Sequence, residues 1–100
     1  MPFEIVFHPL SVGELEDLRA FDQRRVLHAI ETRLTHEPTK ATKNRKCLVS
    51  LNPEFEHVPP VWEIRVGDLR VFYDVEEKAE QVNIRAIRRK SKGQTTKEIT

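Results

Sequence analysis

Two arginines face each other in the part of the sequence with the clearest structural signal. Two runs of alternating apolar residues, 61–66 and 69–75, are separated by a Gly-Asp pair, which is typical of a β-hairpin with a two-residue turn. This turn fixes the register and sets Arg65 directly opposite Arg70. Because like charges in opposed positions destabilise a strand pair, an arginine pair here favours a site for an anion. Phosphate fits best, since the planar guanidinium can bind two of its oxygens at once.

The alternation also predicts which side chains share a face with the arginine pair. Ten residues are expected to face a core: Trp62, Ile64, Val66, Leu69, Val71, Tyr73, Val75, Val82, Ile84 and Ala86. The opposite face is expected to carry Glu63, Arg65, Arg70, Phe72, Asp74, Asn83, Arg85 and Ile87. On that face Arg85 would add a third cation, and Phe72 could stack on a nucleotide base or contact a protein partner. Alternatively, Glu63, Asp68 or Asp74 could neutralise the arginines in an ion-pair network.

The charges are distributed unevenly along the chain. Its 100 residues contain 17 Lys and Arg against 16 Asp and Glu, so the formal net charge is only +1. Residues 43–100, however, hold 12 of the basic side chains and 9 of the acidic ones. The basic residues cluster at 43–46, with Lys43, Arg45 and Lys46, and at 85–92. Such clusters indicate a polyanionic partner or, equally, a solvated face and a basic tail.

The remaining elements predict a single α+β domain over residues 1–90. Residues 3–8 are typical of a strand, and Ser11 to Glu14 has the pattern of a capping box for a short helix. Asp22 is a candidate N-cap for an amphipathic helix over 23–36, and Pro38 ends it. Strands are predicted at 47–51 and 82–88, and residues 91–100 lack periodicity, which predicts a mobile tail. The expected fold is an N-terminal strand, a helical hairpin and a small antiparallel sheet of three or four further strands.

Several classes of site and location are disfavoured by composition. Cys47 is the only cysteine, and the four histidines share no ligand spacing, so neither a disulfide nor a metal site is predicted. No cofactor-binding motif, such as a Gly-rich phosphate loop, appears either. The longest apolar runs are far too short to cross a membrane, and the N-terminus lacks the regions of a signal peptide. We therefore expect no membrane association and a cytoplasmic location.

The chain resembles the RelE/ParE superfamily of toxins from toxin–antitoxin systems. The resemblance covers about residues 3–90 and rests on the helical hairpin, Pro38, the segment Asn44-Arg45-Lys46-Cys47-Leu48 and above all the hairpin sequence W-E-I-R-V-G-D-L-R-V-F-Y-D-V at 62–75. It implies a RelE-like toxin that cleaves mRNA without a metal ion and blocks translation, typically on the ribosome. It also implies a cognate antitoxin as partner, with operator DNA bound only through that antitoxin.

The resemblance assigns expected roles to individual residues. Arg70 matches an arginine that contacts the scissile phosphate, Arg65 occupies a basic position, and Arg89 or Lys90 falls where the family has a basic or histidine side chain. With Arg85 these would stabilise the phosphate, Glu63 would act as the base, and Lys43, Arg45, Lys46 and Phe72 would bind RNA. The C-terminal end, Arg88 to Lys92, lacks the tyrosine and histidine of many active members. A ParE-like DNA gyrase inhibitor, or a non-catalytic module that only binds an antitoxin, therefore stays as an alternative.

Overall fold

A mixed five-stranded sheet with two helices on one face forms the structure, a computed structural model that describes residues 2–100. The elements are β1 (Glu4–Phe7), α1 (Pro9–Glu16), α2 (Ala20–Leu34), β2 (Arg45–Cys47), β3 (Trp62–Val66), β4 (Leu69–Glu76) and β5 (Gln81–Arg89), followed by a 3-10 turn at Lys97–Ile99. The strand order is β1-β5-β4-β3-β2. The predicted α+β class is confirmed, with one difference: β1 pairs with β5 in parallel, so the sheet is not wholly antiparallel.

The first helix begins earlier than the sequence pattern predicts. It starts at Pro9, a residue well suited to the first helical position because its missing N–H would have no partner there. Ser11 is therefore buried inside the helix, with its Oγ 2.7 Å from the His8 carbonyl oxygen and 2.9 Å from that of Ile84. Glu14 accepts a hydrogen bond from the backbone N–H of Ile87 on β5. The predicted capping box is wrong, since both side chains join α1 to the sheet.

The second helix also begins before its predicted cap. Arg19 occupies the N-cap position of α2 and makes no side-chain cap hydrogen bond. Asp22 lies within the first turn, where it is buried and receives hydrogen bonds from Arg19 and Arg25. An acid in the first turn still favours the helix through its dipole. The helix then packs its apolar stripe, including Val26, Ile30 and Leu34, against the inner face of the sheet.

The hairpin has the predicted register. Arg65 pairs with Arg70, Ile64 with Val71, and Trp62 with Tyr73. Gly67 has a φ of +62°, a left-handed conformation that glycine adopts without strain, and this fits the first position of a two-residue hairpin turn. The second strand of the sheet, β2, is Arg45–Cys47 rather than 47–51, because Cys47 pairs with Trp62 at the start of β3.

A bulge changes which residues of β5 face the helices. The register shifts between Phe72 and Tyr73, so that Tyr73 pairs with Ile84 whereas Phe72 pairs with Ala86. Beyond the bulge, Ala86 lies on the outer face and Ile87 belongs to the core under the helices. The predicted assignment of these two residues is therefore wrong. Bulges insert an extra residue into one strand and so reverse the alternation that follows.

The outer face of the sheet is covered in its centre by two irregular segments. The loop between β2 and β3 supplies Phe55 and Val61, and the C-terminal segment supplies Ile99. Together with Phe72 and Ala86 these residues form a second, smaller apolar cluster. The sheet thus has apolar residues buried on both faces, and the outer cluster lies beside the charged residues near the Gly67-Asp68 turn.

Candidate nucleic-acid interface

Three arginines on neighbouring strands form a row across the outer face of the sheet. Arg65 on β3 pairs with Arg70 on β4, and Arg70 pairs with Arg88 on β5. Arg65 is exposed, Arg88 is half-buried and Arg70 is 8% exposed. Three like charges in adjacent positions repel one another, and Glu63 beside Arg70 and Glu14 beside Arg88 offset part of this repulsion. We call these residues the arginine row. Sequence reasoning found Arg65 and Arg70 but missed Arg88, because the bulge that turns Arg88 outward leaves no recognisable sequence signal.

The central arginine of the row is held by backbone carbonyl groups. Arg70 Nη1 donates hydrogen bonds of 2.9 Å to the carbonyl oxygens of Gly67 and Leu69. Its Nε lies 4.0 Å from a carboxylate oxygen of Glu63. These contacts fix the guanidinium beside the hairpin turn. The guanidinium of Arg70 is therefore already ordered in the free protein, so an anion can bind it without the entropic cost of fixing the side chain.

Glu63 lies next to the arginine row and is itself buried. One of its oxygens is 3.6 Å from Lys46 Nζ, and the other accepts a hydrogen bond of 3.3 Å from Thr96 Oγ1. The carboxylate therefore bridges a lysine of β2, Arg70 and the C-terminal segment. It is the only acidic group that residues 2–100 bring into direct contact with Arg70. Glu63 is thus close enough to the row to act on a bound phosphate group or to balance its charge.

The basic segment before β3 contributes two exposed lysines and one inward-facing arginine. A cleft of about 120 Å³ is lined by Thr42, Lys43, Asn44, Arg45, Lys46, Glu63 and Arg65. Lys43 and Lys46 are exposed at its edge. Arg45 instead donates a 2.7 Å hydrogen bond to the Arg33 carbonyl oxygen and binds the carbonyl of Glu37. Because the last carbonyls of a helix lack partners within it, Arg45 serves as a cap for the end of α2.

Arg85 lies apart from the arginine row. Its Nε donates to Asp74 at 2.7 Å, and both side chains are nearly inaccessible to solvent. Asp74 also accepts from the backbone N–H of Val58 and from Asn83, while Arg85 donates to His8 Nδ1. Because an arginine can only donate, His8 carries its proton on Nε2 and donates it to Asn83. The predicted grouping of Arg85 with Arg65 and Arg70 is therefore not found, since Asp74 neutralises Arg85.

Phe72 is not accessible for stacking. Its exposed fraction is 0%, and the ring of Phe55 lies 5.6 Å away between centroids. The long loop before β3 folds back over this part of the sheet, which alternation within the strands does not predict. In this structure Phe72 therefore contributes to the outer apolar cluster and offers no free ring face to a nucleotide.

Arg89 points away from the arginine row, toward the helices. It pairs with Asp68 in the hairpin turn and, at 3.2 Å, with the buried Asp22 of α2. Burial raises the pKa of Asp22, but hydrogen bonds from Arg89, Arg19 and Arg25 outweigh it and hold that pKa below 3.8. The hydrogen bond from Arg89 likewise lowers the pKa of Asp68. Arg89 thus joins α2, the turn and β5. Its neighbour Lys90 is half-buried and donates its backbone N–H to the Asp68 carbonyl.

Three further observations concern possible metal ligands, the only tyrosine, and the helices. Within residues 2–100, no three His, Cys, Asp or Glu side chains come together as a metal site. Tyr73, which could in principle transfer a proton, is buried under the helices and donates to the Pro38 carbonyl. Burial raises its pKa well above the usual range. Over the same residues, no helix has the length and apolar character needed to cross a membrane.

The fold and the arginine row describe a small α+β protein with a basic patch at one end of its sheet. Residues 5–93 match the family model described as ParE toxin of type II toxin-antitoxin system, parDE. That match covers most of the chain, so the chain belongs to this family, within the RelE/ParE superfamily. No curated protein sequence matches it.

Solved structures of related toxins share the fold. The archaeal RelE–RelB complex from Pyrococcus horikoshii OT3 aligns with a TM-score of 0.71 at 23% identity, over 93% of this chain and 100% of that one. The RelBE2 complex from Mycobacterium tuberculosis gives a TM-score of 0.69 at 19% identity, over 90% and 100%. The isolated E. coli RelE toxin gives 0.66 at 13% identity, over 96% and 93%. At these identities the likeness establishes the fold.

Proposed function

We propose that this toxin binds mRNA through the arginine row and cleaves it, so that translation stops. The observation that supports this function best is the register that brings Arg65, Arg70 and Arg88 together on one exposed end of the sheet. The exposed Lys43 and Lys46 extend the positive surface toward β2. Such a surface attracts a phosphate backbone even though the whole chain has a net charge of only +1. Translating ribosomes would present the mRNA to it.

Cleavage at this surface would proceed by transfer within the RNA itself. The 2′-hydroxyl attacks the adjacent phosphorus, its proton passes to Glu63, the P–O5′ bond breaks, and the leaving 5′ oxygen takes up a proton. Lys46, whose Nζ lies 3.6 Å from Glu63, would donate that proton. The arginines stabilise the extra negative charge of the phosphorane. The products are a cyclic phosphate and a 5′-hydroxyl end, and every proton is transferred by a protein group.

A cognate antitoxin is the expected regulator. The family is defined by type II toxin–antitoxin pairs, and two of the structures with this fold are complexes named RelE–RelB and RelBE2. We propose that a small antitoxin binds this chain, blocks its activity, and links it to operator DNA. Cytoplasmic action follows from a target on the ribosome.

Induced expression followed by mapping of mRNA 5′ ends tests the proposal. The native chain should arrest growth and create new 5′-hydroxyl ends within coding regions, and Arg70→Ala should do neither while remaining folded. Arg24→Ala is the matched control, because Arg24 is exposed on α2 and its side chain makes no hydrogen bond or ion pair among residues 2–100. Growth arrest by Arg70→Ala equal to that of the native chain would refute the phosphate assignment.

A second function, inhibition of DNA gyrase by protein–protein contact, is favoured by two observations. The matching family model is that of ParE toxins. In addition, Phe72 and Arg85, which the nuclease hypothesis would use, are buried or neutralised. This alternative predicts DNA damage and altered plasmid supercoiling with intact mRNA, so the same induced cells distinguish the two functions. A chain that binds only an antitoxin would give no growth arrest.

A further inference from the structure

The C-terminal segment lies against the proposed RNA site. After β5 ends at Arg89, the chain returns over the outer face and finishes in the 3-10 turn Lys97–Ile99. Ile99 is 7% exposed and belongs to the outer apolar cluster with Phe72 and Ala86. On the outer face of β4 and β5, the pair Phe72–Ala86 comes directly after the pair Arg70–Arg88. The segment that packs on Phe72 and Ala86 therefore covers the sheet surface immediately beside the arginine row.

Two polar contacts connect the segment to groups that the proposed function uses. Arg88 Nη1 donates a hydrogen bond of 3.0 Å to the Ile99 carbonyl oxygen. Thr96 Oγ1 donates to Glu63 at 3.3 Å. The segment therefore uses hydrogen-bonding capacity of both Arg88, a member of the arginine row, and Glu63, the candidate base.

The remaining contacts of Arg88 leave little freedom for a ligand. Its Nε lies 2.5 Å from Glu14, and its guanidinium lies over the Phe55 ring, 5.6 Å from the centroid. A phosphate oxygen that takes both Nη groups must replace the Ile99 carbonyl. That exchange is favourable electrostatically, because hydrogen bonds between ionised groups are stronger than those to a neutral carbonyl.

We propose that residues 96–100 compete with RNA for the arginine row: they cover its edge in the free protein and leave when RNA binds. This inference rests on the proposed function, since it concerns the same site. The attachment is suited to exchange, because Ile99 is its only buried side chain and Ser91, Lys92, Thr95, Lys97 and Glu98 are exposed. The segment thus makes RNA affinity depend on how often Arg88 and Glu63 are uncovered.

A single substitution in the full chain tests the competition. Ile99→Asn should release the segment without changing net charge, whereas Ile99→Val, which keeps an apolar branched side chain, is the matched control. Binding of a short single-stranded RNA with 2′-O-methyl groups is measured at fixed salt, since this RNA lacks the attacking hydroxyl. If the uncovered state holds about a tenth of the native molecules, Ile99→Asn should bind roughly tenfold more tightly, and Ile99→Val should bind like the native chain. General structural damage would weaken binding.

The same titration in the Arg88→Ala background locates the competition. There the gain from Ile99→Asn should shrink, because the donor that both ligands share has been removed. If Ile99→Asn does not tighten binding while Arg70→Ala weakens it, the competition is refuted and the phosphate site stands. If Arg70→Ala has no effect, or if no variant binds the RNA, the phosphate site is refuted and the competition with it.

Discussion

Arg70 on β4 and Arg88 on β5 are direct neighbours across the outer face of the sheet. The bulge after Phe72 causes this, because strict alternation would turn Ile87 outward and Arg88 toward the helices. The bulge thus places Arg88 on the outer face, where strict alternation would have placed Ile87. It also separates Arg88 from Arg85, which is the extra residue of the bulge and pairs with Asp74.

Arg88→Ala should weaken RNA binding without unfolding the protein. Loss of a charge-assisted contact to phosphate is expected to lower affinity by roughly 10-fold or more. The dependence of log affinity on log salt should become shallower by about 0.7, the value for one phosphate contact on a single strand. Titrations of the same RNA at several salt concentrations measure both quantities.

Lys78→Ala is the control for this prediction. Lys78 is exposed in the turn between β4 and β5, at the end of the sheet opposite the arginine row. Its removal lowers the net charge equally but takes away no contact in the row. If both variants lost affinity to the same extent, the effect would reflect overall charge, and the assignment of Arg88 would be wrong.

Substitution of Arg85 is expected to lower the stability of the fold and not the affinity for RNA. Its side chain and that of Asp74 are 7% and 3% exposed, so Arg85→Met leaves a buried carboxylate without its counter-charge. Breaking a buried pair in this way costs about 3–5 kcal/mol. Urea unfolding of Arg85→Met measures that loss in the free energy of unfolding.

The double variant Arg85→Met, Asp74→Asn separates lost charge from lost packing. Asparagine keeps an oxygen for the Val58 N–H, and no unpaired charge remains, so most of the stability should return. A native-like stability of the single variant, combined with lost RNA affinity, would instead make Arg85 a phosphate ligand.

The hairpin register was predictable because two local signals agree. The Gly67-Asp68 turn and the alternation of apolar residues specify the same pairing, so Arg65 opposite Arg70 follows from the sequence. The bulge was not predictable in this way, because it depends on how β5 fits β1, β4 and α1 together. Long-range contacts also decide the burial of Phe72 by the loop and of Ile99 on the sheet. The candidate site was thus predicted where local patterning determines it and missed where distant segments fold over it.

The acid sensitivity of folding should depend on Asp22. Its pKa is lowered in the folded state, so around pH 3.8 the unfolded chain binds more protons at this site than the folded one. Stability therefore rises with pH in this range, and the contribution of Asp22 is lost as pH falls through its folded-state pKa. Asp22→Asn should be less stable near neutral pH and should lose stability less steeply on acidification below pH 4. Thermal unfolding across this range measures it.

An exposed carboxylate provides the comparison for Asp22. Asp17 follows α1 and makes no ion pair among residues 2–100, so Asp17→Asn should unfold on acidification as the native chain does. If Asp22→Asn and Asp17→Asn were indistinguishable, the network that joins α2 to Asp68 and Arg89 would not contribute to acid stability.

Glu63 distinguishes proton transfer from charge balance at the arginine row. Its carboxylate lies between Lys46, Arg70 and Thr96, and Glu63→Gln keeps the size of the side chain while removing both its charge and its basicity. Binding of the 2′-O-methyl RNA should become tighter, because a negative charge beside the phosphate is lost. Cleavage of unmodified RNA should fall by about 10²–10⁴-fold, the contribution typical of a general base. Tighter binding with unchanged cleavage would show that Glu63 only balances the charge of Arg70 and that another group accepts the proton.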